Sequence, residues 1–206
     1  RRMQEQIHRE MGGAPQVKLG DASIAAPFTS KHASIKSVQA IISQGRCTLV
    51  TTLQMFKILA VNCLVAAHAM STLYLYGIKS GDTQMSIVGI ATAIFFLLIS
   101  RSKPLKKLSS ERPQVTVFTP AVIGSIAAQS LCHLICLNAA VAAAEPYVDF
   151  EAEEMQPDAD FKPNIVNTIV FLLSVSMQTS AFAANYRGHP FMQSLRENTW
   201  LFRMIV

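Results

Sequence analysis

The chain has 206 residues, of which half are hydrophobic and 15% are charged, and its formal net charge is +5. These values lie between those of a water-soluble domain and a pure membrane bundle, as expected for several membrane spans with polar flanks. The basic residues lack aromatic interleaving or zinc-finger spacing, so the charge predicts no nucleic-acid binding. Three of the four cysteines fall inside apolar stretches, which excludes a disulfide scaffold.

The N-terminal part of the chain has the pattern of a soluble segment. Residues 1–16 are polar and are expected to form a disordered linker. Alternating residues over 17–19 predict a short strand, and Ser34 is a plausible N-cap for a helix that starts at Ile35. Because so few residues cannot bury a core, we expect 17–44 to complete a soluble domain whose bulk lies upstream.

The segment from Gln44 to Asn62 passes from polar to apolar sequence with no proline. It predicts one helix that continues across the boundary between cytosol and membrane. Such a helix is typical of a transport machine, in which an event in the cytosol moves something in the bilayer. The residues that we expect to couple the two sides are Gly45, Arg46, Gln54 and Lys57.

Four apolar stretches are long enough to cross a bilayer, since about 20 helical residues span the hydrocarbon core. They cover about 58–78, 84–100, 120–144 and 165–186, so the transmembrane domain is expected over 45–186. The connection 101–112 carries five Lys/Arg against one acid, whereas 145–162 carries seven acids against one Lys. Lys/Arg-rich connections stay in the cytosol, so both ends of the chain are expected there.

The C-terminal residues 187–206 are expected to form a cytosolic loop that leads to a missing span. The chain starts without Met and stops where a new apolar run begins, which we interpret as a fragment of a longer protein. The acidic segment 145–162 lacks the ligand spacing of an EF-hand and is expected to be solvated.

Polar residues inside the spans are the candidates for a substrate pathway, because such groups face the bundle interior or a cavity. They are Asn62, His68, Gln129, His133 and Gln178. The alternative for each is a hydrogen bond between helices. Cys132, His133 and Cys136 lack the further ligands that a zinc site needs, so no metal site is predicted. No phosphate loop or catalytic set is present, and no catalytic residue is predicted.

Several segments together resemble one family. They are 17–31, 44–55, 75–84, 100–113 and 176–191, and they are similar to the class V P-type ATPases of the endoplasmic reticulum subclass. The resemblance covers nearly everything after residue 16 except the acidic segment.

The resemblance implies an all-α polytopic membrane protein with four transmembrane helices, core helices five to eight of a P-type ATPase. The last strand and helix of a cytosolic α/β phosphorylation domain would precede them, over 17–44. ATP and Mg²⁺ would bind upstream, where the family forms an aspartyl-phosphate. Gly20–Ser23 lacks the Asn-Asp pair of the family's Mg²⁺ motif, so no Mg²⁺ role is assigned to it. Because the nucleotide and phosphorylation sites would lie upstream, the fragment is expected to be inactive alone.

The resemblance also implies a function, which is extraction of mistargeted transmembrane helices from the endoplasmic reticulum membrane. The partners would then be client helices and the lipid bilayer, and the protein is expected to be a monomer. No Asp or Glu lies inside the spans, although a cation pump places carboxylates there. Two alternatives stay open: a cation- or polyamine-transporting P-type ATPase, and a free-standing four-span scaffold or channel.

Overall fold

The computed structural model describes residues 34–147 and 161–206. Its helices are α1 (Lys36–Leu75), α2 (Asp82–Ser100), α3 (Pro120–Ala144), α4 (Ile165–Asn185) and α5 (Thr199–Ile205), with a 3₁₀ turn at Glu145–Tyr147. The first four are long and apolar enough to cross a membrane. The all-α fold with four spans is therefore confirmed. The predicted linker and strand, and most of the acidic segment, lie outside the described residues.

The chain divides into two compact units, 1–43 and 44–206. The described part of the first unit contains the start of α1, where the Lys36 amide donates to the Ser34 hydroxyl oxygen at 3.3 Å. This contact agrees with the predicted helix start, one residue away. Everything that follows concerns the second unit.

The part of α1 in the second unit, 44–75, has 32 residues and so is about 48 Å long, well over the thickness of the hydrocarbon core, about 30 Å. Its buried residues recur every three or four positions from Cys47 to Leu73 and form one continuous face. The prediction of an unbroken helix is confirmed. The helix ends at Leu75, three residues before the expected 78, because Gly77 adopts a φ of 65°. The amide of Ile78 then donates to the Leu73 carbonyl at 2.9 Å, as in a Schellman cap.

Side-chain caps start the other long helices. The Thr119 hydroxyl accepts the Val122 amide at 3.3 Å, with Pro120 in the first turn of α3. The Asn164 side chain accepts the Val166 amide at 2.8 Å and starts α4. Helix α2 starts at Asp82 rather than 84 because the Gln84 side chain reaches back to the Gly81 amide, at 3.2 Å.

The bundle has two distinguishable ends. We call the end with Lys57, the 101–119 connection and residues 186–198 the basic end, and the end with residues 76–81 the opposite end. At the basic end, a core of aromatic and aliphatic residues joins α1, α2, α4 and α5: Ile58, Phe95, Ile99, Phe182 and Leu201. The rings of Phe95 and Phe182 are stacked with centroids 4.6 Å apart. The predicted loop 187–206 thus includes a short helix, α5, whose Leu201 is fully buried.

Candidate functional site: an intramembrane cavity and the contacts of α1

A cavity of about 330 Å³ lies between α1, α2 and α4, at the level of the membrane. Most of its lining is apolar, and the lining includes no Asp, Glu, Lys, Arg or His. The polar members are Asn62, Ser80, Gln84, Thr92, Asn167, Ser174 and Gln178. Two of the predicted pathway residues, Asn62 and Gln178, therefore line one space although they belong to different helices.

Several polar atoms in this cavity have no hydrogen-bond partner. Both amide atoms of Asn62 and the hydroxyl of Ser174 are buried and unpaired, and the two residues are only 6% and 7% exposed. An unpaired polar group without access to water costs about 1–3 kcal/mol. The cavity therefore offers two polar groups that a ligand with its own donors and acceptors could satisfy.

At the rim of the cavity nearest the opposite end of the bundle, polar groups are hydrogen-bonded, unlike those of Asn62 and Ser174. Asn167 on α4 donates to the Gln84 side-chain oxygen on α2 at 3.0 Å, and the same oxygen accepts the Gly81 amide. This bond fixes α2 to α4. The oxygen of Asn167 is buried and unpaired, so a third polar atom faces the same region.

Gln129, another predicted pathway residue, lies outside the cavity in a contact between α3 and α4. Its side chain and that of Asn185 exchange two hydrogen bonds: Gln129 Nε2 donates at 3.1 Å, and Asn185 Nδ2 donates back at 2.7 Å. Gln129 also donates to Ser125, and Asn185 donates to the Ala181 carbonyl. The pair joins α3 to α4, and Gln129 does not line the cavity.

His68 on α1 and His133 on α3 form a contact between these two helices. Their ring centroids are 6.0 Å apart and their planes are nearly perpendicular. His133 is 1% exposed, and both of its ring nitrogens lack a partner, as does Nε2 of His68. Neither ring lines the cavity. Among the described residues, no group of three or more His, Cys, Asp or Glu could hold a metal ion.

The predicted coupling residues lie where α1 passes the basic end. Arg46 donates to the Ser109 carbonyl at 2.6 Å, and the Gln54 side-chain oxygen accepts the Arg187 amide at 2.8 Å. Lys57 is half-buried beside a second cavity. A Cβ added at Gly45 would meet no atom within 4 Å, so packing does not require glycine there.

The two connections that α1 contacts are bonded to each other. The Gln193 amide donates to the Lys103 carbonyl at 3.1 Å, and Pro104 and Met192 form an isolated antiparallel bridge. The Met192 side chain is fully buried, and its sulfur accepts the Thr51 hydroxyl at 3.4 Å. At this level α1 therefore contacts both the connection that follows α2 and the segment that follows α4.

The loop that carries Met192 is stabilised by an exposed contact of Glu197 with Ser194 and His189. The Ser194 amide donates to the Glu197 carboxylate at 2.6 Å, and the His189 ring lies 3.3 Å from the same oxygen. Hydrogen bonds from Ser194 are the main cause of a lowered pKa for Glu197, with the nearby His189 charge as a smaller one. The loop thus stabilises the ionised form of Glu197.

Sequence reasoning did not select Asn185, Asn167 or Gln84 as site residues. The available signal was spacing on α4: Asn167, Ser174, Gln178 and Asn185 follow one another at intervals of seven, four and seven residues. This pattern places polar groups near one side of a helix. It does not tell which neighbouring helix that side meets.

Known proteins with similar sequences match almost the whole chain. It is 51% identical over 193 residues to a probable manganese-transporting ATPase of Arabidopsis thaliana, covering 94% of this chain. It is 46% identical over 189 residues to an endoplasmic reticulum transmembrane helix translocase of Schizosaccharomyces pombe, covering 92% of this chain. The corresponding translocase of Saccharomyces cerevisiae is 45% identical over 196 residues.

More distant relatives include the human polyamine-transporting ATPase 13A2, with 32% identity over 186 residues. No protein-family model matches the chain. The chain spans only 16% of the length of the plant and yeast relatives. Over that stretch, the chain belongs to the class V P-type ATPases, in their endoplasmic reticulum subclass.

Proposed function

We propose that this chain forms part of the membrane domain of an ATP-driven translocase that removes mistargeted transmembrane helices from the endoplasmic reticulum membrane. The observation that carries the proposal is the cavity between α1, α2 and α4, with its unpaired Asn62 and Ser174 and no Asp, Glu, Lys, Arg or His in its lining. The names of the two yeast relatives support the same activity.

The chemistry of the cavity suits a polypeptide better than a metal ion. A dehydrated divalent cation needs several oxygen ligands, and carboxylates commonly supply them. The cavity has amides and hydroxyls on an otherwise apolar wall, so it could accept the apolar side chains of a helix and one or two of its polar groups. An amide both donates and accepts, which allows Asn62 to pair with many different side chains.

Transport of manganese or of polyamines is the second candidate, and it is suggested by the names of the plant and human relatives. Both kinds of cargo are cations. The described lining of the cavity supplies no counter-charge for a cation in the membrane, where an unpaired charge is costly. Helix extraction is therefore the better-supported function.

The source of energy would lie in the part of the relatives that this chain does not match. ATP, Mg²⁺ and the aspartyl-phosphate would belong to that part, as membership of the P-type ATPases implies. We infer that α1 transmits the resulting motion, and that Arg46, Thr51 and Gln54 pass it to the neighbouring connections. The basic end faces the cytosol by the positive-inside rule, in a multi-pass monomer.

The test uses the full-length protein in liposomes, with the double variant Asn62→Leu/Ser174→Ala. Extraction of a client helix with a central Asn should fall by at least about threefold to eighteenfold, because one lost intramembrane hydrogen bond is worth about 0.6–1.7 kcal/mol. An all-leucine client should be affected less. Ser180→Ala is the matched control, since Ser180 is on α4 but is exposed outside the cavity.

Manganese and polyamine uptake are measured in the same liposomes. Unchanged extraction together with loss of cation uptake in the double variant would contradict helix extraction and favour the second candidate. Equal losses for both client helices would indicate that the variant damages the protein rather than the recognition of a polar group.

A further inference from the structure

A second cavity, of about 370 Å³, lies at the basic end and is separate from the intramembrane one. It is enclosed by α1, the segment that leads into α3, and the segment that follows α4. Three cationic residues line it, Lys57, Arg112 and Arg187, against a single carboxylate, Glu111. The 112–119 connection brings Arg112 to this position, and the end of α4 brings Arg187.

The cations have no charge partner within the part of the chain that the structure describes. The only ion pair found there joins His189 to Glu197, and it does not involve this cavity. Arg187 is close enough to Lys57 for their charges to repel. Glu111, Arg112 and Arg187 are exposed and Lys57 is half-buried. Three positive groups and one carboxylate around one space leave a net charge that favours an anion.

Gln54 gives a second, independent indication of a ligand. It lines the same cavity and is only 5% exposed. Its oxygen accepts the Arg187 amide, but its nitrogen, Nε2, is buried and donates to nothing. A buried donor of this kind normally has an acceptor. The cavity therefore combines unpaired positive charge with an unused neutral donor, which together match an anion that has several oxygen atoms.

We propose that this cavity binds a phosphate monoester. A phosphate group presents three oxygens, and it suits the forked hydrogen bonds of an arginine side chain such as Arg112 or Arg187. Lys57 adds a positive charge, and Gln54 Nε2 would donate a hydrogen bond to a further phosphate oxygen. Two sources could supply the group, a lipid headgroup or free phosphate. Lys57 directly precedes the apolar part of α1, so the cavity is at the height of the headgroups of the adjoining leaflet.

This inference does not depend on helix extraction, because it concerns another site. A bound phosphate would hold together α1, the entry to α3 and the exit from α4. The same contact could then link lipid composition to the motion of α1.

The experiment measures lipid binding to the full-length protein in phosphatidylcholine nanodiscs by displacement of a fluorescent phosphatidic acid. Phosphatidic acid carries a phosphate monoester, whereas phosphatidylserine is anionic but carries a diester. We expect phosphatidic acid to bind at least tenfold more tightly than phosphatidylserine. Millimolar inorganic phosphate is the third probe: displacement of the lipid assigns the site to the free ion, and no displacement assigns it to the lipid.

Four variants locate the site. Arg112→Gln/Arg187→Gln should weaken phosphatidic acid binding about tenfold or more, and Arg187→Lys should weaken it less, since it keeps the charge but loses the fork. Gln54→Leu keeps all three cations but removes the neutral donor, together with the acceptor of the Arg187 amide, and should weaken binding at least about threefold. Lys107→Gln is the matched control, because Lys107 is an exposed cation of the same connection that does not line the cavity.

Two results would overturn the proposal. One is equal binding of phosphatidic acid and phosphatidylserine, and the other is a loss in Lys107→Gln as large as in Arg112→Gln/Arg187→Gln. Either would mean that the basic end attracts anions only through its general surface charge. The thermal unfolding midpoint of each variant is measured alongside, and Arg187→Lys keeps the test decisive if the double variant does not fold.

Discussion

The hydrogen-bonded pair of Gln129 and Asn185 predicts a strong energetic coupling between α3 and α4. The change is Gln129→Leu, Asn185→Leu and the double variant. Gln129→Leu leaves the Asn185 side-chain oxygen without its donor, although Asn185 Nδ2 keeps its hydrogen bond to the Ala181 carbonyl. Asn185→Leu leaves the Gln129 oxygen without its donor, although Gln129 Nε2 keeps its bonds to Ser125. Each single variant therefore creates one unpaired buried oxygen.

The magnitude follows from the number of bonds. Each single substitution should lower the free energy of unfolding by about 1–3 kcal/mol, the cost of an unpaired buried group. The double variant removes both partners together, and leucine replaces them with apolar groups suited to the bundle. Two bonds of about 0.6–1.7 kcal/mol each give a coupling energy of about 1–3 kcal/mol. The double variant should thus lose clearly less than the sum of the two single losses.

The assay is reversible unfolding of the full-length protein in bicelles, analysed as a double-mutant cycle. Gln178→Leu serves as the control partner for Gln129→Leu, because Gln178 lines the intramembrane cavity on α4 and does not bond to Gln129. Its coupling to Gln129 should be near zero. Additive losses for Gln129 and Asn185, within about 0.5 kcal/mol, would refute the assigned pair.

Three further predictions concern single residues. Gly188→Ala should destabilise the basic end by about 1–3 kcal/mol, since its Cβ would lie 2.7 Å from the Gln193 carbonyl oxygen; the thermal unfolding midpoint measures this, and no change would contradict the close contact. The pKa of Glu197 is lower in the folded than in the unfolded chain, so its contribution to stability is present above the unfolded pKa and is lost as pH falls through the folded pKa. Glu197→Gln should remove this dependence of the unfolding free energy on pH in the acid range. A profile of stability against pH that is the same in the variant would contradict the prediction. Asn62→Leu should raise the thermal unfolding midpoint, because a buried amide without partners becomes apolar, and a lower midpoint would indicate a partner for Asn62.

The spans could be predicted from the sequence because membrane crossing depends mainly on length and apolar composition. The start of α3 was predictable to the residue, since Thr119 and Pro120 mark a helix start in sequence as well as in structure. The end of α1 was placed three residues late, because hydropathy continues through Ile78 while the backbone already turns at Gly77. Conformation at one glycine decided that boundary, and an apolar window cannot detect it.

The candidate site was harder to predict than the spans. Periodicity shows which residues share a face of one helix, but the partner of that face depends on how the helices pack. Gln129 was a pathway candidate on its own helix, and its bonds to Asn185, 56 positions away, appear only when α3 meets α4. Asn62 and Gln178 meet at one cavity for the same reason.

The polar groups of the bundle therefore divide into two kinds, and the division bears on the proposed mechanism. A group that takes part in translocation must exchange partners at each cycle. Gln129 and Asn185 already have partners for their donors and acceptors, so any exchange there would first cost about two hydrogen bonds. Asn62 and Ser174 have none to lose. On the proposed function, a client helix would gain bonds in the cavity at no cost to the bundle. We expect α2 and α3 to remain fixed to α4 while α1 moves.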